Sequence, residues 1–221
     1  MFKITIDPGH GGIQKVGGSS ANNAFGVEGT LEKDLTLDIG LLLQEYLLGS
    51  GHEVLMTRES DVNLGLKDRA NIANDFESDI FISIHFNGYS DSEVQGTETW
   101  VYPDTHAKNK TLAAFLQQNL VSVTNYNDRG LKSGKYGVLN PNRHDCKTAI
   151  CLVEISFLTN PEDEQKLQDC VYKDELAKAM SQGVEDYFEL VTNLENGIAP
   201  RMTSSPYIIK KVDVLVLDGD A

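Results

Sequence analysis

Four residues spread along the chain have side chains that together could catalyse hydrolysis with a metal ion: His10, Glu32, His85 and Glu154. Two neutral imidazoles and one carboxylate are a common ligand set for catalytic zinc and leave a fourth position for water. Bound zinc can lower the pKa of that water to about 7, and a second carboxylate can then accept its proton and later donate it. We assign Glu32 to the metal and Glu154 to proton transfer, although spacing alone does not decide between them.

The predicted elements bring these side chains together. His10 follows a strand predicted at 2–6, His85 ends a strand at 79–85, and Glu154 lies at the end of a strand at 149–155. Ligands and catalytic groups of open α/β sheets collect at the carboxyl ends of the strands. We therefore expect these three residues at one edge of a sheet, with Glu32 supplied by the helix that begins beside it.

Strands and helices alternate along the chain, which is typical of an α/β fold with a mostly parallel sheet. The pattern predicts further strands at 52–57 and 96–102, and helices at 31–48, 67–76, 107–123 and 171–191, with another helix starting at 160–164. The run at 79–85 is nearly continuously apolar, so we expect a strand covered on both faces. The segment from Gly11 to Gly29 has no periodicity and is predicted to be a long loop.

The remaining histidines and the cysteines have simpler interpretations. A histidine after a strand often only caps a loop, so neither His10 nor His85 alone would indicate a metal. The other three histidines are His52, His106 and His144. Each lies in turn-like or polar sequence, so we expect all three on the surface. The three cysteines are too few and too widely spaced for a disulfide framework or a cysteine-rich zinc site, and are expected to be idle thiols: Cys146, Cys151 and Cys170.

The chain has 221 residues and a net charge of −14, from 33 acidic and 19 basic residues. This charge argues against a nucleic-acid partner and against docking on an anionic membrane, because both select an excess of Lys and Arg. No apolar run is long enough for membrane insertion, and the first residues lack the pattern of a signal peptide. We expect a globular protein that does not insert into a membrane.

The sequence pattern changes from helical to loop-like near the end of the last predicted helix. Residues 1–192 are expected to form the catalytic domain, with a charge of −13. Residues 193–221 read as a linker and a strand-like tail at 207–217, which is either an added strand or the start of a truncated second module.

Five sequence blocks, in order, carry a family resemblance: IDPGHGG, EGTLEKDLTLDI, TRESDVNLGLKDRANIAN, DIFISIHFN and LVEISFLTNPEDE. Together they closely resemble the zinc-dependent N-acetylmuramoyl-L-alanine amidases of the type-3 amidase family, from Lys3 to about Phe188. The resemblance implies a six-stranded sheet flanked by helices, one zinc ion on His10, Glu32 and His85, and Glu154 as the catalytic residue. It also implies peptidoglycan as the substrate, cut between N-acetylmuramic acid and the L-alanine of the stem peptide.

Other positions in these blocks have predicted supporting roles. We expect Arg58 and Arg69 to anchor helices and loops, and Asp7 to support the loop that carries His10. Asn87 follows a ligand closely and is a candidate for orienting it or for binding substrate. Three glycines are expected to let the backbone turn tightly beside the metal: Gly9, Gly11 and Gly12.

The cell-division amidases of Gram-negative bacteria carry a long helical insertion that blocks the site, before the strand with the catalytic glutamate. The segment 100–154 shows one helix and a short turn-rich connection, so we expect an open groove and no activator. Members of the family commonly have separate cell-wall-binding modules, and we expect one beyond the C-terminus, attached through the tail after Thr192. The enzyme would act at the cell wall, either as a secreted autolysin or as a phage endolysin released from the cytoplasm.

Two alternatives stay open at this point. The same four residues could serve another zinc peptidase or amide hydrolase that acts on a small substrate. A wall-binding protein without activity is also conceivable on this fold, but it would be expected to have a broken metal set, and all four positions are filled.

Overall fold

The computed structural model describes residues 1–198 and has one six-stranded sheet at its centre. The strands are β1 (Lys3–Pro8), β2 (Glu53–Met56), β3 (Ile80–Asn87), β4 (Thr97–Val101), β5 (Asp128–Ser133) and β6 (Ala149–Phe157). They lie in the order β2-β1-β3-β6-β4-β5. All neighbouring strands are parallel except β4 and β6, which are antiparallel. The predicted mostly parallel α/β sheet is confirmed.

The helices are α1 (Glu32–Gly49), α2 (Leu66–Asp75), α3 (Ala107–Thr124), α4 (Pro161–Leu167) and α5 (Cys170–Glu195). Two short 3-10 turns, Gly137–Leu139 and Pro141–Arg143, precede β6. The start of α4 follows from its sequence, because Pro161 occupies the first turn and the Asn160 side chain accepts hydrogen bonds from the next two free backbone N–H groups. Among residues 1–198, no helix combines the length and the apolar character needed to cross a bilayer.

The two faces of the sheet are covered unequally. Alternate residues of the central strands, such as Ile82 and Val153, pack with α1, α3 and α5 into the main hydrophobic core. The residues between them, such as Phe81 and Leu152, form a smaller core with α2 and the 3-10 turn at 137–139. Because side chains alternate along a strand, His85 and Glu154 point to this second face. The strand alternation therefore places both side chains on the less covered side of the sheet.

Several predictions about individual residues need correction. His144 is buried, because its Nε2 lies 2.7 Å from the Val138 carbonyl oxygen and its ring packs against Phe81. The His52 side chain is only 6% exposed and contacts Glu185 and the ring of Phe188. Both were predicted on the surface because their turn-like sequence hides these distant partners. His106 is exposed, as predicted.

The sequence does not predict strand β5, because the residues between α3 and β6 have a turn-rich pattern. Its six residues include Asp128, Arg129 and Gly130. Among the strands of residues 1–198, β5 pairs with β4 alone, at the edge of the sheet. The three cysteines are free thiols, as expected, with Cys151 buried and the other two exposed. Helix α5 continues to Glu195, past the predicted domain boundary at 192, and the tail strand predicted at 207–217 lies outside the described residues.

Candidate metal centre and catalytic site

Three of the predicted residues meet beyond the carboxyl ends of β1 and β3. Glu32 Oε1 lies 3.1 Å from His10 Nε2 and 2.9 Å from His85 Nδ1. One ligand atom from each of the three residues lies within 4.8 Å of the others. Ligand atoms around a tetrahedral zinc ion, with bonds of 2.0–2.2 Å, stand roughly 3.4 Å apart. The three side chains therefore have the spacing of ligands to one metal ion.

The loop after β1 fixes the orientation of the His10 ring. Nδ1 lies 3.0 Å from both the carbonyl oxygen and the hydroxyl of Ser20. The opposite nitrogen, Nε2, is buried and makes no hydrogen bond within the described part of the chain. Donation from Nδ1–H to the carbonyl would leave a lone pair on Nε2, which is the arrangement of a metal-binding histidine. His10 also adopts a left-handed backbone, with φ of +62°, an uncommon conformation that clusters at functional sites.

Glu32 is positioned by the start of α1 and is 1% exposed. Its Oε2 accepts a hydrogen bond from the Ala24 backbone N–H, and Oε1 accepts one from that of Phe86. Burial opposes ionisation of this carboxyl group, but the two neighbouring imidazoles outweigh burial and lower its pKa. Glu32 is thus a fixed carboxylate, the form required of a metal ligand.

The His85 imidazole is kept neutral by its surroundings. Burial lowers its pKa, and the carboxylate of Glu32 only partly offsets that effect. A neutral imidazole is the metal-binding form of histidine. Gly9 packs directly against this ring, since a Cβ atom there would lie 2.3 Å from His85 Cε1. The absence of a side chain at Gly9 is therefore required for the ring to occupy this place.

Glu154 stands beside the three clustered residues without joining them. It is the direct neighbour of His85 across the β3–β6 pair and of Glu98 across the β4–β6 pair. Its Oε2 is buried and has no hydrogen-bond partner among the described residues. Burial raises the pKa of Glu154 well above its usual 4.5, with further contributions from the negative charges of Glu32 and Glu98. A carboxyl group with a raised pKa is suited to accepting and donating a proton.

Two buried arginines support the His10 loop, as the sequence predicted. Arg69 donates hydrogen bonds to the Asp7 carboxylate and to the carbonyl oxygens of Pro8 and His10. Arg58 donates to the carbonyl oxygens of Pro8 and Gly9 and reaches the start of α1. These contacts satisfy backbone oxygens that the irregular loop would otherwise leave unpaired.

Asp7 reaches the loop through Arg69, in keeping with its predicted supporting role. Burial opposes its ionisation, but Arg69 and the hydroxyls of Thr57 and Ser83 lower its pKa. The predicted tight turn is also present, because Gly11 has a φ of +129° and a Cβ atom there would lie 2.1 Å from the Val62 carbonyl oxygen.

Sequence reasoning missed a polar network next to Glu154. Glu98 is 3% exposed and accepts hydrogen bonds from Asn87 Nδ2, Trp100 Nε1 and Arg129 Nε. The amide of Asn87, a predicted substrate contact, is thus directed at a protein carboxylate, although the residue still lines the cleft. The alternation along β4 places Glu98 on the same face of the strand as Trp100. It does not reveal the antiparallel pairing with β6 that brings Glu98 next to Glu154.

A cleft of about 710 Å³ lies above these residues. All four predicted catalytic and ligand residues line it. Aromatic side chains that are partly exposed also line it, namely Phe25, Tyr89 and Tyr136. The arrangement offers a metal-binding cluster, a protonatable carboxyl group and an accessible groove with mixed polar and aromatic walls, which together suit metal-assisted hydrolysis of an extended substrate.

Comparison with known proteins agrees with this geometry. The sequence profile of the N-acetylmuramoyl-L-alanine amidase family matches residues 4–186. The sporulation-specific N-acetylmuramoyl-L-alanine amidase of Bacillus subtilis (strain 168) is 34% identical over 223 residues, covering 100% of this chain and 82% of that protein.

Two solved structures are similar in fold. The N-acetylmuramoyl-L-alanine amidase from Clostridium difficile 630 has a TM-score of 0.77 and 33% identity, covering 85% of this chain and 97% of that one. The CwlD amidase from Clostridioides difficile, solved in complex with the GerS lipoprotein, has a TM-score of 0.76 and 29% identity, covering 86% of this chain and 100% of that one. With the five sequence blocks, the fold and the profile match in agreement, the chain belongs to the type-3 N-acetylmuramoyl-L-alanine amidase family.

Proposed function

We propose that this chain hydrolyses peptidoglycan at the amide between the lactyl group of N-acetylmuramic acid and L-alanine, with one zinc ion on His10, Glu32 and His85 and with Glu154 as the catalytic residue. Amidase activity follows from the family. The observation that carries the assignment of roles is that three donor atoms converge while the buried Glu154 carboxyl group stays outside the cluster.

The residues present fit zinc well. A ring nitrogen from each of His10 and His85 and the ionised carboxylate of Glu32 form an N/O donor set of the kind that zinc binds. Three protein ligands with a further position for water or substrate are typical of catalytic zinc. When bound there, zinc would supply Lewis acidity, which polarises a carbonyl group and makes water a stronger acid.

Glu154 would transfer the proton. Its ionised carboxylate accepts a proton from the attacking water, and the resulting carboxylic acid donates that proton to the leaving nitrogen as the C–N bond breaks. The products are the lactyl carboxylate and a stem peptide with a free L-alanine amino group. Burial of Glu154 favours this cycle, because a raised pKa makes its carboxylate a stronger proton acceptor.

Product analysis tests the proposed reaction. The purified chain, with no other protein added, is incubated with purified sacculi, and the soluble products are separated and identified by mass spectrometry. We expect intact stem peptides with new L-alanine amino termini. Release of single amino acids would instead indicate a carboxypeptidase, and activity restricted to small peptides would favour a different amide hydrolase.

The same experiment bears on the need for an activator. The segment between β4 and β6 consists of α3, β5 and the two 3-10 turns, and the cleft has exposed aromatic residues at its wall. These features support a groove that accepts substrate unaided. One similar structure, the CwlD amidase, was solved with a lipoprotein partner, so activity that appears only after a partner is added would contradict this part of the proposal.

We also propose that targeting comes from a separate wall-binding module. A charge of −14 would be repelled by the anionic polymers of many cell walls, which slows association. The enzyme would act at the cell wall, as an autolysin or as an endolysin. Efficient lysis of intact cells by this chain alone would argue against a separate module.

A further inference from the structure

Tyr136 lines the cleft and has no role assigned so far among residues 1–198. The residue lines the same cleft as Glu154 and is 36% exposed. Its ring contacts Trp100, but among residues 1–198 its hydroxyl makes no hydrogen bond. Neither the predicted catalytic set nor the supporting loop accounts for this side chain.

The ring of Tyr136 is held in place on two sides. Its centroid lies 5.0 Å from that of Trp100, in an edge-on arrangement. Gly134 packs against both rings, since a Cβ atom there would lie 2.9 Å from Trp100 Cζ3 and 3.1 Å from Tyr136 Cε2. Trp100 is fixed in turn by its hydrogen bond to Glu98. This support reduces the conformational freedom that the phenol would lose on binding a ligand.

The phenol remains a hydrogen-bond donor at any physiological pH. Burial raises the pKa of Tyr136 to about 12, and the negative charges of Glu154 and Glu98 add to this effect. The ring also contacts Trp100, which donates a hydrogen bond to Glu98, the cross-strand neighbour of Glu154. Tyr136 therefore lies on the side of the cleft where proton transfer is proposed. Two other donor-bearing residues of the lining, Asn87 and Arg69, direct hydrogen bonds at protein acceptors.

We propose that Tyr136 is a substrate-contacting residue whose hydroxyl donates a hydrogen bond to a carbonyl oxygen of the lactyl-peptide segment in the cleft. The inference rests on the proposed function, because that function supplies a substrate rich in carbonyl acceptors. Glu98 and Trp100 are positioning residues for this contact.

The test is the Tyr136→Phe variant, which removes the hydroxyl and keeps the ring. Steady-state cleavage of soluble peptidoglycan fragments should show kcat/KM reduced by about 5- to 10-fold, as expected for one neutral hydrogen bond. Tyr102→Phe is the matched control, because it also removes a phenol hydroxyl but from a residue outside the lining of the cleft. The control should retain the kcat/KM of the wild type.

Two further measurements separate a substrate contact from a structural role. Tyr136→Phe should keep the melting temperature and the zinc content of the wild type, and Tyr136→Leu should lose more activity than Tyr136→Phe. Unchanged kcat/KM in Tyr136→Phe, or a loss that tracks lower Tm or zinc content, would overturn the inference while an active wild type still supports the proposed function. A wild type that releases no stem peptide would overturn both.

Discussion

The strained backbone of His10 shows how single residues build the site. A non-glycine residue in the left-handed region costs on the order of 1 kcal/mol and persists only where its surroundings impose it. Here Arg69 hydrogen-bonds the His10 carbonyl oxygen and Ser20 contacts Nδ1, so both ends of the residue are fixed. The result is an imidazole whose Nε2 is directed at Glu32 without rearrangement.

Gly9 provides a sharp test at the residue scale. Gly9→Ala would place a methyl group within 2.3 Å of the His85 ring, so the ring must move. We expect a loss of metal affinity of at least about tenfold, comparable to the removal of a residue that orients a ligand, together with a matching loss of activity. Zinc titration and turnover of peptidoglycan fragments measure both.

The control for this variant is Gly49→Ala at the end of α1, where the added Cβ meets nothing within 4 Å among residues 1–198 beyond its chain neighbours and its own helix backbone. That substitution should leave zinc affinity and turnover unchanged. Normal zinc binding in Gly9→Ala would mean that the His85 ring is not confined as the structure indicates.

At the scale of elements, the site depends on how the loop after β1 is tied to α2. Arg69, from α2, is 1% exposed, and its Nη1 lies 2.7 Å from the equally buried Asp7 carboxylate in β1. Removing one partner of a buried ion pair leaves the other charged and desolvated, which typically costs several kcal/mol. The pair therefore couples the stability of the fold to the position of the His10 loop.

Arg69→Ala should lower the free energy of unfolding by about 3–5 kcal/mol, measured by urea denaturation at neutral pH. Lys173→Ala, which removes a surface pair with Asp38, should cost less than about 1 kcal/mol.

The contribution of Asp7 to stability should depend on pH with a definite sign, because the pKa of Asp7 is lowered in the folded state. Its stabilisation is present above the unfolded value of 3.8 and is lost as the pH falls through the folded pKa. A wild type and an Asp7→Asn variant with the same acid dependence would contradict this.

The elements that the sequence predicted well are those with a strong local signal. Helix α3 and strands β3 and β6 were expected within two residues of their observed ends, because apolar periodicity and continuous apolar runs mark them. Strand β5 has no such signal, since its residues are mostly polar and its order comes from pairing with β4. Long-range pairing is also what brings Glu98 to Glu154, so neither could be read from local sequence.

The candidate ligands and the candidate catalytic residue were predicted to converge, and all four line one cleft: His10, Glu32, His85 and Glu154. The sequence supplied their types and their places at strand ends, while the division between ligand and proton carrier came from the family resemblance. The buried histidines His52 and His144 were mistaken because a histidine in polar sequence gives no sign of a distant partner such as Glu185 or Phe81.

For the whole molecule, the described residues form one body in which α5 spans the main core. Its apolar residues, including Leu176, Met180 and Phe188, pack with α1 and α3. The helix ends at Glu195, so a boundary at 192 would remove part of its last turn. The domain assignment 1–192 therefore stays a prediction whose end is better placed after the helix.

A chain ending at Ile198 should keep the fold and the activity on soluble peptidoglycan fragments, because residues 1–198 contain the described core and all four residues proposed for the site. Its melting temperature and kcat/KM should match those of the full chain. A marked loss of either would show that residues 199–221 contribute to the catalytic unit instead of serving as a linker or a separate tail.

The zinc content of four purified proteins, measured by elemental mass spectrometry after removal of free metal, separates the proposed metal ligands from Glu154. We predict about one zinc ion per chain in the wild type and in Glu154→Gln, and far less in His10→Ala and His85→Ala. Equal zinc loss in all three variants would contradict the division between ligands and Glu154. Full zinc retention when either histidine is replaced would contradict its role as a ligand.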